Sequence, residues 1–291
     1  MVTPDGLLLL DRSFAAPLAE GAAQLLLNGT ALRPPSASVL VGTPDAPRLV
    51  HAARWRDPIA TGTPALLRLG GTRSASFAWP AALPPAAFAA GFPPEAHGTL
   101  LRFLVGTCAR MLRGASDRAL AALCHALASP EGVARRIAHP AGPLTAWQVP
   151  PAPDGTWHLL TPAAILPVGQ AVGGVLLLDG AIPTGAVLLP PAPLAPLRLV
   201  PGRGEATLSR RVRDALARRG ASPSIIAALA ARAGRDARAG ALLREAQLLA
   251  PARPTRLDDP ARPVGAGLDL ALSDHGGGVF LCGWLRDPLG M

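Results

Sequence analysis

Asp274-His275 stands directly before Gly276-Gly277-Gly278, so an imidazole and a carboxylate sit beside backbone N–H groups that glycine leaves open. That setting suits acid–base work, and a plain turn at a strand entrance uses the same residues. Cys124-His125 is the second adjacent pair, on a predicted helix where neighbours point about 100° apart. The two cannot serve as nucleophile and base without distorting the backbone, which leaves a core thiol and a surface imidazole. Cys108, Cys124, His97 and His139 lack the tight paired spacing of a zinc site, so no metal is expected. Pro201-Gly202-Arg203-Gly204-Glu205 links a strand to a helix as a phosphate loop does. However, Thr207 stands where a third glycine is needed, and Glu205 puts negative charge where the phosphate would rest. A strand-to-helix turn is the reading there, and no cofactor is expected.

Arg210, Arg211, Arg213, Arg218 and Arg219 crowd one short stretch, and clustered guanidinium groups are what a polyanion requires. All 28 cationic side chains are Arg. With the excess of Ala and Pro, that is what GC-rich bacterial coding produces. The absence of Lys removes Schiff bases, the phosphate-loop lysine and serine–lysine nucleophile pairs, each of which needs an amine. The formal charge of +9 is unevenly placed. Residues 201–256 carry 12 Arg against 4 acids, residues 1–200 carry 14 against 10, and residues 257–291 carry 2 against 5. Leu216 to Leu229, with Gly220 at the turn and Ser222-Pro223 opening a second helix, has the spacing of a helix-turn-helix within 205–234. Its second helix offers Ser224 and then mostly Ala, Ile and Leu, so base edges would meet few hydrogen-bonding groups.

The elements that must carry these residues are short. The 33 Pro and 31 Gly punctuate the chain, and with only 4% aromatic residues the core must be built from Leu, Val and Ala. Residues 1–90 read as a β-rich unit with strands at Leu7–Leu10, Gln24–Asn28, Ser38–Val41, Arg48–Ala53, Ala65–Leu69 and Ser74–Trp79. Residues 91–140 read as a helical hairpin. Leu100, Leu104, Cys108 and Met111 line one helix and Leu120, Leu123, Cys124 and Leu127 the next, which Ser116 would cap. Residues 141–200 return to strands at Ala146–Val149, Trp157–Leu160, Val175–Leu178, Ala186–Leu189 and Leu197–Val200. Residues 201–256 read as Arg-rich short helices broken at Gly220 and near Gly234, and 257–291 as a linker and a β module. Three widely spaced Cys fit a reducing compartment. The N-terminus has no cationic leader, and no segment is apolar for the length of a membrane span, so a cytoplasmic location is expected.

The last stretch is the most distinctive. Gly276-Gly277-Gly278-Val279-Phe280-Leu281 followed by Gly283-Trp284-Leu285-Arg286-Asp287-Pro288-Leu289-Gly290 resembles the opening of a small β-sandwich module found beside alphaproteobacterial family 2 glycosyltransferases. The resemblance covers residues 266–290. It implies Trp284, Asp287, Asp274 and His275 as ligand-facing residues and a glycosyltransferase domain, or its polysaccharide-synthesis partners, as neighbour. The strand at Val279 is expected to open a module that stays incomplete, with nothing after it to pair with. A nucleotide-sugar transferase of that type holds a metal with Asp-x-Asp, a string absent from this sequence.

The expectation is therefore an α+β protein with two short-stranded β-rich units interleaved with helical segments and a C-terminal β module. Its expected role is that of a non-catalytic accessory or interaction region beside a surface-polysaccharide glycosyltransferase. Nucleic-acid binding through residues 205–234 is the alternative.

Overall fold

The computed structural model describes residues 7–13, 23–31, 36–43, 46–55, 57, 59–69, 73–112, 117–141, 144–202, 207–216, 223–249, 265–273 and 279–286. The protein is α+β, with helices and several sheets. It divides into two compact units: Met1–Arg135 with Val149–Gln170 and Ala181–Pro201, and Arg136–Gln148 with Ala171–Gly180 and Gly202–Met291. This division runs across the sequence-derived segments, since residues 141–200 are shared between the two units. No helix among the described residues is long and apolar enough to cross a membrane.

The first unit begins with β1 (Leu7–Ser13), β2 (Ala23–Leu27), β3 (Thr30–Ala31), β4 (Ser36–Thr43), β5 (Ala46–Arg54), β6 (Pro64–Leu69) and β7 (Arg73–Ala78). They form two antiparallel sheets, ordered β1-β5-β4 and β3-β2-β6-β7. The run Leu7-Leu8-Leu9-Leu10 looks unlike an alternating strand because β1 is covered on both faces. Leu8 and Leu10 face the second sheet, packing with Leu25, Leu27, Leu67 and Trp79. Leu7 and Leu9 face the opposite way, into a core shared with helices. The β2–β3 turn requires left-handed backbone at Asn28 (φ 48°) and Gly29 (φ 77°), the residue pair suited to it.

Those helices are α1 (Pro85–Ala90), α2 (Pro94–Phe103), a π-helical turn (Leu104–Cys108), α3 (Ala109–Met111) and α4 (Arg118–Leu127). The proline-rich stretch of residues 80–94 holds α1 and the start of α2, for Pro85 and Pro94 are first helical residues, where the missing N–H costs nothing. Asp117 rather than Ser116 caps α4. Its backbone is extended and its side chain accepts from the Leu120 N–H at 2.9 Å, a stronger cap near the helix dipole. Ser116 lies outside the described residues. Leu100, Leu104, Leu123 and Leu127 fill the seam against Leu7, Leu9, Val50 and Ala52.

The segment expected to be a helical hairpin ends in a strand, β8 (Gly132–Ala141). Its first residues pair parallel with β14 (Leu197–Val200), from Leu197↔Gly132 to Val200↔Arg135. The first unit is completed by β10 (Trp157–Leu160), β11 (Ile165–Gly169) and β13 (Val187–Leu189), in the order β11-β10-β13-β14-β8. β11 was not foreseen. Pro167 argues against a central strand, and β11 tolerates it as the outermost strand in that order.

In the second unit the later part of β8 is followed in the sheet by β9 (Leu144–Gln148) and β12 (Val175–Asp179), the last two antiparallel. One face of these strands carries α5 (Leu208–Leu216), α6 (Pro223–Ala233) and α7 (Ala237–Leu249), whose Leu208, Val212, Ile225, Leu229 and Leu242 pack on Leu144, Ala146, Val175 and Leu177. Arg232 fastens this layer. It donates to Leu177 O at 2.9 Å and to Asp236 at 2.8 Å, and it pairs with Asp179. At Gly173 φ is +57°, a backbone that L side chains rarely adopt, and a Cβ would sit tightly at 3.0 Å from Ser224 Oγ.

The strand at Val279 does have a partner, and it precedes rather than follows it. β15 (Gly265–Ser273) and β16 (Val279–Arg286) form an antiparallel two-stranded sheet, from Ser273↔Val279 to Gly265↔Arg286. Asp269 is the extra residue of an irregularity between Leu268 and Leu270.

Candidate functional site

The residues singled out from the sequence are only partly brought to view. Trp284 lies in β16 opposite Gly267. Asp274, His275, Asp287, Arg218 and Arg219 lie outside the described residues. On α5 the buried Leu208 and Val212 define the inner face, and Arg210 is exposed. Arg211 is half-buried, with its Nε enclosed and unpartnered. Arg213 lies on the same helix.

The thiols of Cys108 and Cys124 are wholly buried. Burial pushes the Cys108 pKa up to about 12 and raises that of Cys124 as well, which removes the thiolate a nucleophile or metal ligand needs. His97 Nε2 and His125 Nε2 lie against the backbone carbonyls of Phe92 (3.1 Å) and Gly185 (2.9 Å). Among the described residues no three His, Cys, Asp or Glu side chains gather as a metal site would require. Trp79, Trp147 and Trp157 are buried core residues, not exposed stacking platforms. The Trp147 indole donates to Thr145 Oγ1 at 2.9 Å.

The polar groups that the fold does assemble are ones that periodicity and spacing do not reveal. Ser38 and His51 are cross-strand neighbours on β4 and β5, and Ser38 Oγ lies 2.8 Å from His51 Nδ1. His51 is 1% exposed, and burial lowers its pKa to about 4, so the ring is neutral at ordinary pH. Arg48 spans three structures. It forks onto Asp11 of β1, donates to Gly91 O at the end of α1, and lies 4.2 Å over the Phe92 ring. Arg102 of α2 holds a loop by donating to Pro190 O at 3.1 Å and to Leu194 O.

Arg12 differs from these. Its guanidinium lies 3.7 Å over the Phe77 ring, and its Nε is buried without a hydrogen-bond partner. Burial draws its pKa down, and Asp11 acts in the opposite direction. Phe77 also lines a cleft of about 450 Å³ together with Gly29, Gly62, Pro64, Leu66 and Ser76.

No protein-family model matches this chain, and no curated protein or solved structure shows significant similarity to it.

Proposed function

We propose that this chain is a non-catalytic accessory or interaction region that works in the cytoplasm beside a surface-polysaccharide glycosyltransferase. One observation carries the reading. Among the described residues β15 and β16, the latter carrying Gly283-Trp284, form a two-stranded sheet of their own, and Val279 and Phe280 at the start of β16 are 66% and 59% exposed. A lone antiparallel pair is marginal in water, and exposed apolar residues on such a pair mark a surface suited to docking. The free thiols of Cys108, Cys124 and Cys282 agree with a reducing compartment. The partner in this reading is a glycosyltransferase domain or another component of polysaccharide synthesis, and β15–β16 is the element it covers.

The test is nucleotide-sugar turnover by the purified chain with divalent metal present. No transfer or hydrolysis above background is expected. Turnover that a single carboxylate substitution abolishes would overturn the reading.

Exposed Arg210 on the outer face of α5 supports a second reading, nucleic-acid binding through 205–234. The opposing point is Arg232, which Asp179 and Asp236 already engage. The two readings differ in which backbone amides a partner protects: those of β15 and β16, or those of α5 and α6.

A further inference from the structure

We propose that the cleft at the start of β8 binds a small α-amino acid, with its carboxylate at Arg198, its ammonium at Glu131 and its side chain against Val133. Opposite charges share the wall of this cleft without meeting. Arg198 of β14 lines it together with Pro130, Glu131, Gly132 and Val133, around a volume of about 280 Å³. Among the described residues neither Glu131 nor Arg198 takes part in an ion pair, with the other or elsewhere. The backbone sets where both stand. Arg198 is the partner of Val133 in the parallel β14–β8 register, and the Glu131 N–H donates to Pro196 O at 3.0 Å, carrying that pairing one residue further. Glu131 and Val133 are two residues apart on this chain, so strand alternation puts both on the side that Arg198 occupies.

Two unpaired charges of opposite sign in one cleft call for a ligand that carries both. The planar guanidinium matches a carboxylate in shape, a carboxylate accepts from an ammonium, and charge-assisted hydrogen bonds of this kind are the stronger ones. An α-amino acid bears an anion and a cation on one carbon, so a single small molecule engages both groups at once. The volume limits its size. Pockets for drug-sized ligands begin at about 300 Å³, so this cleft suits a body of a few carbons. Val133 is 44% exposed beside Pro130, which gives an apolar side chain a surface to lie on. A single guanidinium with a carboxylate in the same cleft favours a monoanion over a phosphate dianion. This assignment lies within the first unit and is independent of the accessory role proposed above.

L-Leucine is the probe, and isocaproate and isoamylamine are its counterparts of the same shape with only the negative or only the positive charge. The readout is the backbone amide signals of Gly132 and Val133 in the intact chain. L-Leucine should move them saturably with a dissociation constant of about 1 mM, because both charged groups stay partly hydrated. Each counterpart should bind about tenfold more weakly, the difference one charge-assisted hydrogen bond makes. Arg198→Gln should remove the advantage of L-leucine over isoamylamine, and Glu131→Gln its advantage over isocaproate. Arg210→Ala in the second unit should change neither. Absence of a saturable shift with L-leucine, or a counterpart that binds the native chain as tightly, would overturn the proposal whether or not the variants fold. Tighter binding of O-phosphoethanolamine than of L-leucine would overturn the amino-acid assignment, and loss of the preference in Arg210→Ala would reduce it to general charge attraction.

Discussion

Replacing Arg48 with alanine should lower the stability of the first unit by about 3 kcal/mol, the loss expected when one member of a largely buried ion pair is removed. The figure sits at the lower end for buried pairs because both side chains of the Arg48–Asp11 pair remain 21% exposed and water screens them in part. Three losses combine in this variant. Asp11 keeps its charge without a partner, Gly91 O loses its donor, and Phe92 loses the cation over its ring. Because Arg48 joins β1 and β5 to the end of α1, the sandwich and the helices should loosen together. Urea denaturation of the native chain, Arg48→Ala, Asp11→Asn and the double variant measures the coupling directly. A loss below about 0.5 kcal/mol would make the pair an ordinary screened surface contact.

Acid should weaken the same unit through His51. The ring's pKa is lowered to about 4 by burial, against an ordinary value of 6.5, so between these values the unfolded chain binds the proton more readily. The stabilising contribution of the neutral ring is therefore fully present above about pH 6.5. It falls away as the pH drops, and the loss is complete below about pH 4. The difference corresponds to about 3 kcal/mol at the acid limit. His158, whose pKa burial also lowers, acts in the same direction and sets a background slope. His51→Gln removes the titration while leaving an acceptor for Ser38. Its stability should depend on pH between 4 and 6.5 much less steeply than that of the native chain. The same slope in both proteins would show that His51 does not carry the effect.

Much of the fold was legible because the chain is punctuated strongly. The strands of the first 80 residues fall where turn residues bracket apolar runs, and the break near Gly234 separates α6 from α7 as the residues there suggest. What escaped depends on tertiary context. β8 reads poorly because Arg135, Arg136 and His139 interrupt it, and it is a parallel partner, β14, that stabilises its first residues. β11 is hidden by Pro167, and β15, the partner of β16, is marked only by the alternation of Leu268, Leu270 and Leu272 upstream of it. The polar groups were less legible still. Asp11 and Arg48 are 37 residues apart, and no periodicity links them. Arg12 and Phe77 belong to different sheets. A cation two residues beyond a buried leucine run, at the end of a strand, is the one sequence signal that could have drawn attention to Arg12.

Hydrogen exchange of the intact chain, alone and with a family 2 glycosyltransferase domain or with duplex DNA, tests the interaction role most directly. Fast exchange is expected at β15 and β16 in the chain alone, slowed about tenfold or more by the transferase, with α5 and α6 unchanged. Unaltered hairpin exchange with the transferase, together with protection of α5 and α6 by DNA, would contradict it and assign the interaction to the Arg-rich helices.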